Sequence, residues 1–151
     1  MKLIVVTGEP NSGKDYLASK LAENSDVKFI RPFSDKVIPI QTEPRDFPTK
    51  YNYLSEYKLT RKMEREIPLF ERVIGKHRYV VFRNQLNADY VVLILNPETL
   101  DQLREIYDGE IFSIYCTNGG CSNPHDYDIV FNPRVDDIDF LEVKIYEWSF
   151  I

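Results

Sequence analysis

The chain has 151 residues, 43% hydrophobic and 28% charged, a composition typical of a folded globular protein rather than a disordered one. Its formal net charge of -5 gives no general attraction for polyanions, so we expect neither a nucleic acid polymer nor a membrane among its partners. The length favours one domain, and the start MKLIVVTG lacks the apolar segment of a signal peptide, so we expect a cytoplasmic location.

The predicted elements begin with a buried strand that runs into a glycine-rich loop. The strand, over 2–7, is a short apolar and β-branched run that stops before Gly8. A helix with a one-sided apolar stripe follows from Gly13 to about Asn24. The pattern G-x-x-x-x-G-K therefore lies between a strand and a helix, as a phosphate-binding loop requires. An ordinary strand-to-helix turn with two glycines is the alternative.

The rest of the chain alternates between strand and helix signals. Residues 32–49 carry four prolines and are predicted as extended segments and turns. Ser55 is predicted to cap a charged helix that ends at Arg65. The other predicted elements are strands over 27–30, 69–73, 78–82, 90–95, 111–116 and 129–131, helices over 96–107 and 137–148, and a loop over 117–126. This order favours an α/β fold, a P-loop NTPase-like three-layer sandwich with a central parallel sheet and a small mixed insert.

The glycine-rich loop is the predicted phosphate site for ATP. Glycines let backbone N–H groups turn inward around phosphate oxygens, and Lys14 supplies a compact positive charge, which makes it the predicted catalytic residue. Asp15 stands where the motif normally has Ser or Thr; because a carboxylate can hold Mg²⁺, it is the predicted metal ligand. The predicted phosphate-binding residues are Gly8, Glu9, Pro10, Asn11, Ser12, Gly13, Lys14, Asp15 and Tyr16.

Beyond this loop the chain resembles guanylate kinases over most of its length. Short segments follow one another in the family's order: Q-T-E-P-R at 41–45, Y-N-Y-L-S at 51–55, E-I-P-L-F-E at 66–71, G-K-H-R-Y-V-V at 75–81 and R-N-Q-L at 83–86. The resemblance implies one P-loop kinase-like domain over 1–151, with 32–86 as the acceptor-binding insert and 117–127 as a reduced lid. It also implies phosphoryl transfer from ATP, with Mg²⁺, to GMP or dGMP.

The resemblance further implies an acceptor site in the insert. Arg45, Tyr51 and Tyr79 would hold the acceptor phosphate, and Glu71 would accept hydrogen bonds from the guanine edge. Arginine matches phosphate bidentately, and a carboxylate suits the paired N–H donors of guanine. The alternative for each residue is ordinary: half-buried strand tyrosines and solvated charges.

The sequence also departs from the family's pattern in the insert and in the lid. Val81 replaces a hydroxyl-bearing residue, and the stretch from Gly75 to Tyr79 has one residue more than the family's. Guanylate kinases bring arginines from the lid onto the transferring phosphoryl group, but here no Lys or Arg lies between Arg104 and Arg134. The arginines predicted to take their place are Arg78, Arg83 and Arg134.

Several alternatives stay open. Cys116, Cys121 and His125 have a C-x₄-C-x₃-H spacing, but no fourth ligand is evident, so a glycine-rich loop is favoured over a metal site. The chain could also be a catalytically silent guanylate-kinase-like module that binds nucleotide or protein. A third hypothesis is a kinase of another small phosphorylated acceptor, since the S-G-K-D ending resembles phosphomevalonate kinases and some phage deoxynucleotide monophosphate kinases. The sequence does not decide whether the chain works alone, as a homodimer or with a protein partner.

Overall fold

A computed structural model of the chain describes residues 2–37 and 51–149. In chain order its elements are β1 Lys2–Gly8, α1 Lys14–Leu21, β2 Val27–Phe29, β3 Phe33–Ser34, β4 Asn52–Tyr53, α2 Glu56–Arg65, β5 Pro68–Ile74, β6 His77–Phe82, β7 Tyr90–Ile94, α3 Pro97–Ile106, β8 Glu110–Cys116, β9 Ile129–Phe131 and α4 Ile138–Ser149. Short 3-10 helices cover Arg83–Gln85 and Pro124–Asp126.

The described residues fall into two compact units. One consists of the described parts of Met1–Phe29 and Ala88–Ile151, and the other lies within Ile30–Asn87. The described part of the predicted acceptor insert, 32–86, lies in the second unit. Within 2–37 and 51–149, no helix combines the length and the apolar character that a membrane span would need.

The first unit is built on a five-stranded parallel sheet with the strand order β2-β7-β1-β8-β9. On one face of β1, Ile4 and Val6 pack with Leu17 of α1 and Leu141 of α4. Residues on the opposite face alternate with these, and α3 also contacts β1. The apolar runs of β1 and β7 suit strands that are buried on both faces. The predicted central parallel sheet is confirmed.

Two helices begin at side-chain caps, of which the sequence predicts Ser55; Asn96, predicted as the first residue of its helix, is the other cap. The Oδ1 atom of Asn96 accepts the N–H of Thr99 at 2.8 Å at the start of α3, and Pro97 occupies the first turn. At α2, the Oγ atom of Ser55 accepts the N–H of Lys58 at 3.3 Å. Each cap satisfies a backbone donor that the helix leaves without an internal partner.

Helix α1 ends earlier than predicted, at Leu21 rather than near Asn24. Asn24 stabilises a turn instead, because its Oδ1 atom accepts the N–H of Asp26 at 3.0 Å and its carbonyl accepts the N–H of Val27 at 3.0 Å. This turn leads directly into β2. Helix α4 begins and ends one residue later than predicted.

The second unit holds a mixed sheet with the strand order β4-β3-β6-β5. Strands β5 and β6 form an antiparallel hairpin around Gly75, whose φ of 63° is left-handed. Helix α2 packs on one face of this sheet, where Leu59, Val80 and Phe82 are buried together. Helix α2 thus covers the face of the sheet that carries Val80 and Phe82. This small mixed sheet of the second unit, together with the parallel sheet of the first, completes the predicted α/β architecture.

Candidate functional site

The loop between β1 and α1 begins at a glycine that the sheet itself requires. Gly8 lies opposite Cys116 of β8 and has a φ of 142°. A Cβ atom at this position would lie 2.1 Å from the carbonyl oxygen of Cys116, far inside van der Waals contact. The close approach of the two strand ends therefore depends on the missing side chain.

Two further loop residues adopt left-handed backbone conformations. Asn11 has a φ of 59°, which asparagine tolerates better than most residues, and Gly13 has a φ of 92°. Gly13 directly precedes α1, so the loop delivers the chain to the N-terminus of that helix. Turns of this kind form concavities lined by backbone N–H groups, and the positive end of a helix dipole adds to their attraction for anions.

Lys14 reaches back across the loop from the first residue of α1. Its Nζ atom donates a hydrogen bond to the carbonyl oxygen of Gly8 at 3.2 Å. The ammonium group is thus held over the concavity by a neutral acceptor. Charged phosphate oxygens are stronger acceptors than a carbonyl, so the position suits a phosphate ligand.

Ser12 has a buried hydroxyl group within the loop. The residue is only 2% exposed, and its Oγ atom has no hydrogen-bond partner among the described residues. The Oγ1 atom of Thr7, one residue before the loop, is buried in the same way. An unsatisfied buried hydroxyl costs roughly 1–3 kcal/mol, so such a group calls for an explanation. The hydroxyl oxygen is closed to solvent here, so a phosphate oxygen could become the partner that Ser12 lacks only after a shift of the loop.

Asp15 lies half-buried in the first turn of α1, where the helix dipole favours a carboxylate. Among the described residues no three His, Cys, Asp or Glu side chains come together as a metal cage. Asp15 is the carboxylate at this loop that could hold a metal ion together with oxygens of a ligand, which is a common arrangement for Mg²⁺. The neighbouring Tyr16 is exposed, and the Nζ atom of Lys20 lies 5.8 Å from its ring centre.

A second loop supports the first from the end of β8. The Oε1 atom of Glu9 accepts the N–H of Asn118 at 2.7 Å and lies 3.2 Å from the hydroxyl oxygen of Thr117. The side-chain amide of Asn118 donates to the carbonyl oxygen of Asn11 at 3.2 Å. We call this set the Glu9–Asn118 contact. Through this contact Glu9 supports the loop. The sequence predicted Glu9 as one of the phosphate-binding residues.

The predicted lid region is held by an arginine from outside it. The Nη2 atom of Arg104 on α3 donates to the carbonyl oxygen of Asp126 at 2.8 Å and to the Oγ atom of Ser113 at 3.2 Å. Cys121 also has a local partner, since its Sγ atom donates to the Oδ1 atom of Asn123 at 3.3 Å. These contacts hold residues 117–127 in place. They bring no cation from that segment toward the loop between β1 and α1.

Two of the predicted acceptor residues come together in the second unit. The rings of Tyr51 and Tyr79 meet edge to face, with centroids 5.8 Å apart and an interplanar angle of 90°. The hydroxyl of Tyr51 donates to the carbonyl oxygen of Val37 at 3.4 Å. Arg45, the third predicted phosphate ligand, lies outside the described residues.

Glu71 does not join this pair. It lies opposite Val80 in the β5–β6 hairpin, whereas Tyr79 lies opposite Arg72, so Glu71 and Tyr79 point to opposite faces of the sheet. The Oε1 atom of Glu71 lies 3.6 Å from the Nε atom of Arg78. The carboxylate is thus engaged on the face that carries α2.

The three predicted transition-state arginines have different surroundings. Besides Glu71, Arg78 contacts α2, where its Nη1 atom donates to the hydroxyl oxygen of Thr60 at 3.4 Å. Arg83 is exposed in the 3-10 helix after β6. Arg134 is exposed in the turn after β9, directly after Pro133, whose Cγ atom lies 3.2 Å from the Cβ position of Gly13. Of the three, Arg134 belongs to the unit that contains the phosphate loop.

Comparison with known proteins gives no match to a family model and none to a curated protein. A solved guanylate kinase from Anaplasma phagocytophilum, however, resembles this structure with a TM-score of 0.66 over 99% of this chain and 84% of that chain. The chain has a guanylate kinase-like fold. The sequence identity of 16% means that this likeness establishes the fold, while activity and substrate depend on the site itself.

Within this guanylate kinase-like fold, sequence reasoning missed the residues that act through tertiary contacts. Asn118 and Arg104 carry no motif, and only the nearby T-N-G-G turn marks the loop that they hold. Arg72, beside Tyr79 in the hairpin, was also missed, because its face depends on strand register. A period-two pattern along β5 is the signal that could have found it.

Burial governs the titration of several groups in the same fold. It raises the pKa of the Cys116 thiol to about 12, although the positive charge of Lys14 opposes the shift. The thiol therefore stays protonated at neutral pH. Burial also raises the pKa of Tyr107, Tyr115 and Tyr127.

Proposed function

We propose that the chain is a nucleoside monophosphate kinase, which transfers the γ-phosphoryl group of ATP to a mononucleotide phosphate and yields ADP and a nucleoside diphosphate. The observation that carries this proposal is the loop itself, where Lys14 spans the concavity and the buried hydroxyl of Ser12 lacks a partner. GMP or dGMP is the acceptor that the sequence resemblance implies.

The donor side of this reaction would be handled by α1 and its loop. Lys14 would exchange the carbonyl of Gly8 for the β- and γ-phosphates, and Ser12 would donate to a phosphate oxygen. Asp15 is the residue that would hold Mg²⁺ beside the phosphates. Mg²⁺, when bound, neutralises phosphate charge. Phosphoryl transfer depends mostly on positioning and on charge neutralisation, so Arg134 is the arginine we favour for the migrating group.

The acceptor side would be handled by the second unit. Tyr51 and Tyr79 would donate their hydroxyls to the acceptor phosphate, with Arg45 as a bidentate ligand. An ionised acceptor phosphate oxygen is already a nucleophile, so the reaction needs no general base. The transfer then breaks the bond between the γ-phosphorus and the bridging oxygen and forms one to the acceptor oxygen.

Replacing Lys14 tests the donor site. Lys14→Ala should reduce ADP release with ATP, Mg²⁺ and a panel of ribo- and deoxynucleoside monophosphates to background, because the charge over the phosphates is lost. Lys20→Ala is the matched control; this lysine lies on the same helix and pairs with Glu23 at 3.3 Å, so we expect full activity. Undiminished ADP release from Lys14→Ala would rule out the loop as the donor site.

A catalytically silent binding module is the alternative that one observation favours. Arg78 is engaged by Glu71, and residues 117–127 contain no Lys or Arg. A silent module would bind ATP in a Lys14-dependent way and release no ADP with any acceptor. A kinase of a different phosphorylated acceptor would be silent with nucleotides alone and active with that acceptor.

A further inference from the structure

The two faces of the mixed sheet separate the side chains that could meet an acceptor. Residues directly opposite each other on paired strands share a face, and neighbours along a strand alternate. Tyr79 pairs with Arg72 on β5 and with Ser34 on β3, and Ser34 pairs with Tyr53 on β4. Val81 pairs with Phe70. We call this the tyrosine face, formed by Ser34, Tyr53, Phe70, Arg72, Tyr79 and Val81, with Tyr51 against Tyr79.

The opposite face is committed to α2. Val80 and Phe82 are fully buried there with Leu59 of the helix. Glu71 lies opposite Val80, and its carboxylate meets Arg78 on that face. Turning Glu71 toward Tyr79 would carry its strand neighbours with it and move Arg72 to the face that carries the helix. The register therefore fixes where this carboxylate points.

Recognition of guanine by its edge requires acceptors for two adjacent N–H donors, a task for which a carboxylate is well suited. Among the described residues, the six that form the tyrosine face include no Asp or Glu. The Oδ1 atom of Asp35, next to Ser34, accepts the N–H of Arg78 at 3.1 Å and lies 3.2 Å from the Nδ1 atom of His77. The side chain of Asp35 is only 10% exposed, so this carboxylate is not presented to a base.

Phe70 and Val81 stand on the tyrosine face instead, beside Arg72 and Tyr79. Of these two apolar residues, Val81 is fully buried and Phe70 is partly exposed, so Phe70 is the apolar side chain that a ligand on this face could meet.

We propose that the acceptor site selects mononucleotides by their phosphate and not by a guanine edge. Phe70 is the residue on which the base would stack, and stacking does not distinguish one base from another. This rests on the proposed function. Any nucleobase can stack on an aromatic ring, pyrimidines included. Arg72, directly opposite Tyr79, is an additional ligand for the acceptor phosphate, since its guanidinium shares a face with the tyrosine hydroxyls.

Equilibrium binding to the full chain by titration calorimetry tests this without requiring turnover. The probes are GMP, dGMP, AMP, CMP and dTMP. We expect Kd values for dGMP and dTMP that agree within about threefold, because both carry the same phosphate and the same sugar and both bases can stack. A preference for dGMP over dTMP of roughly tenfold or more would overturn the proposal, since a charge-assisted edge contact has that size.

Two neighbouring substitutions sharpen the test. Phe70→Glu places a carboxylate on the tyrosine face and should raise the preference for dGMP over dTMP by roughly tenfold or more. Glu71→Gln is the matched control on the face of α2 and should leave the dGMP-to-dTMP ratio unchanged. Loss of dGMP and GMP binding alone in Glu71→Gln would contradict the proposal, as would an unchanged ratio in folded Phe70→Glu.

Arg72→Ala should weaken binding of all five mononucleotides by a similar factor, because the phosphate is common to them. A loss that depends on the base would count against Arg72 as a phosphate ligand.

If the folded wild-type chain bound none of the five mononucleotides, both the proposed acceptor chemistry and this inference would fail. If it bound dGMP far more tightly than dTMP, only the inference would fail. The wild-type comparison remains decisive even if Phe70→Glu does not fold.

Discussion

At Gly8, the demands of the sheet and those of a phosphate ligand coincide. The missing Cβ leaves room for the carbonyl of Cys116, and the same bare backbone opens the loop that Lys14 spans. A glycine at this position is thus explained by packing even before a ligand is considered. Ser12 is different, because no contact within the described residues satisfies its buried hydroxyl.

Gly8→Ala should therefore destabilise the fold strongly. We expect a loss of at least about 3 kcal/mol in the free energy of unfolding, since the strand ends must separate to admit the new atom. Gly119→Ala is the matched control, because no atom lies within 4 Å of its Cβ position. Its effect should stay within about 0.5 kcal/mol. Equal unfolding midpoints in urea for the two variants would disprove the packing argument.

At the scale of elements, the phosphate loop is not a separate unit of the structure. The Glu9–Asn118 contact ties it to the loop after β8, and Arg104 ties that second loop to α3. The loop's shape is therefore maintained from outside the motif. If the loop binds nucleotide as proposed, this arrangement gives Glu9 a positioning role in that binding.

Glu9→Ala should weaken ATP binding by roughly tenfold, since a hydrogen bond to a charged group contributes about 1.5 kcal/mol or more. Glu9→Gln keeps one acceptor oxygen for the N–H of Asn118 and should lose less. Titration calorimetry with ATP measures both, and urea unfolding checks that the fold persists. ATP binding by Glu9→Ala at the wild-type affinity would show that the contact does not position the loop.

The sequence was sufficient to predict most elements, because their signals are local. The run Y-V-V-L-I at β7 and the cap at Asn96 each act over a few residues. The short strands β3 and β4 carried no such signal. The face of Glu71 could not be predicted, because it depends on the pairing of β5 with β6 rather than on either strand alone.

For the whole molecule, the titration of buried groups links stability to pH. Folding favours the protonated forms of Cys116 and of Tyr107, Tyr115 and Tyr127, because burial disfavours their anions. The unfolded chain therefore loses these protons first as the pH rises. Stability is fully present below the ordinary thiol pKa of 9.0 and decreases as the pH rises toward about 12.

Urea unfolding at pH 8, 9.5 and 11 should show a progressive fall in the midpoint, and Cys116→Ala should make that fall smaller.

Labelling with a thiol reagent at pH 8 tests the protonation and burial of Cys116 directly. The native chain should react at Cys121 alone, and Cys116 should react only after unfolding, because the thiolate is the reactive form. Rapid labelling of two thiols in the native chain would contradict this.

If the tyrosine face is the acceptor site, the hairpin between β5 and β6 makes substrate choice depend on chain length as well as on residue identity. Glu71 and Phe70 are neighbours that face opposite ways, so the loss of a single residue between Glu71 and the Gly75 turn would exchange their faces while β6 kept its place on α2. An enzyme lineage could thus acquire or abandon a base-reading carboxylate through one deletion or insertion. A sequence alignment would show the glutamate as retained, although its side chain would lie on the other face of the sheet.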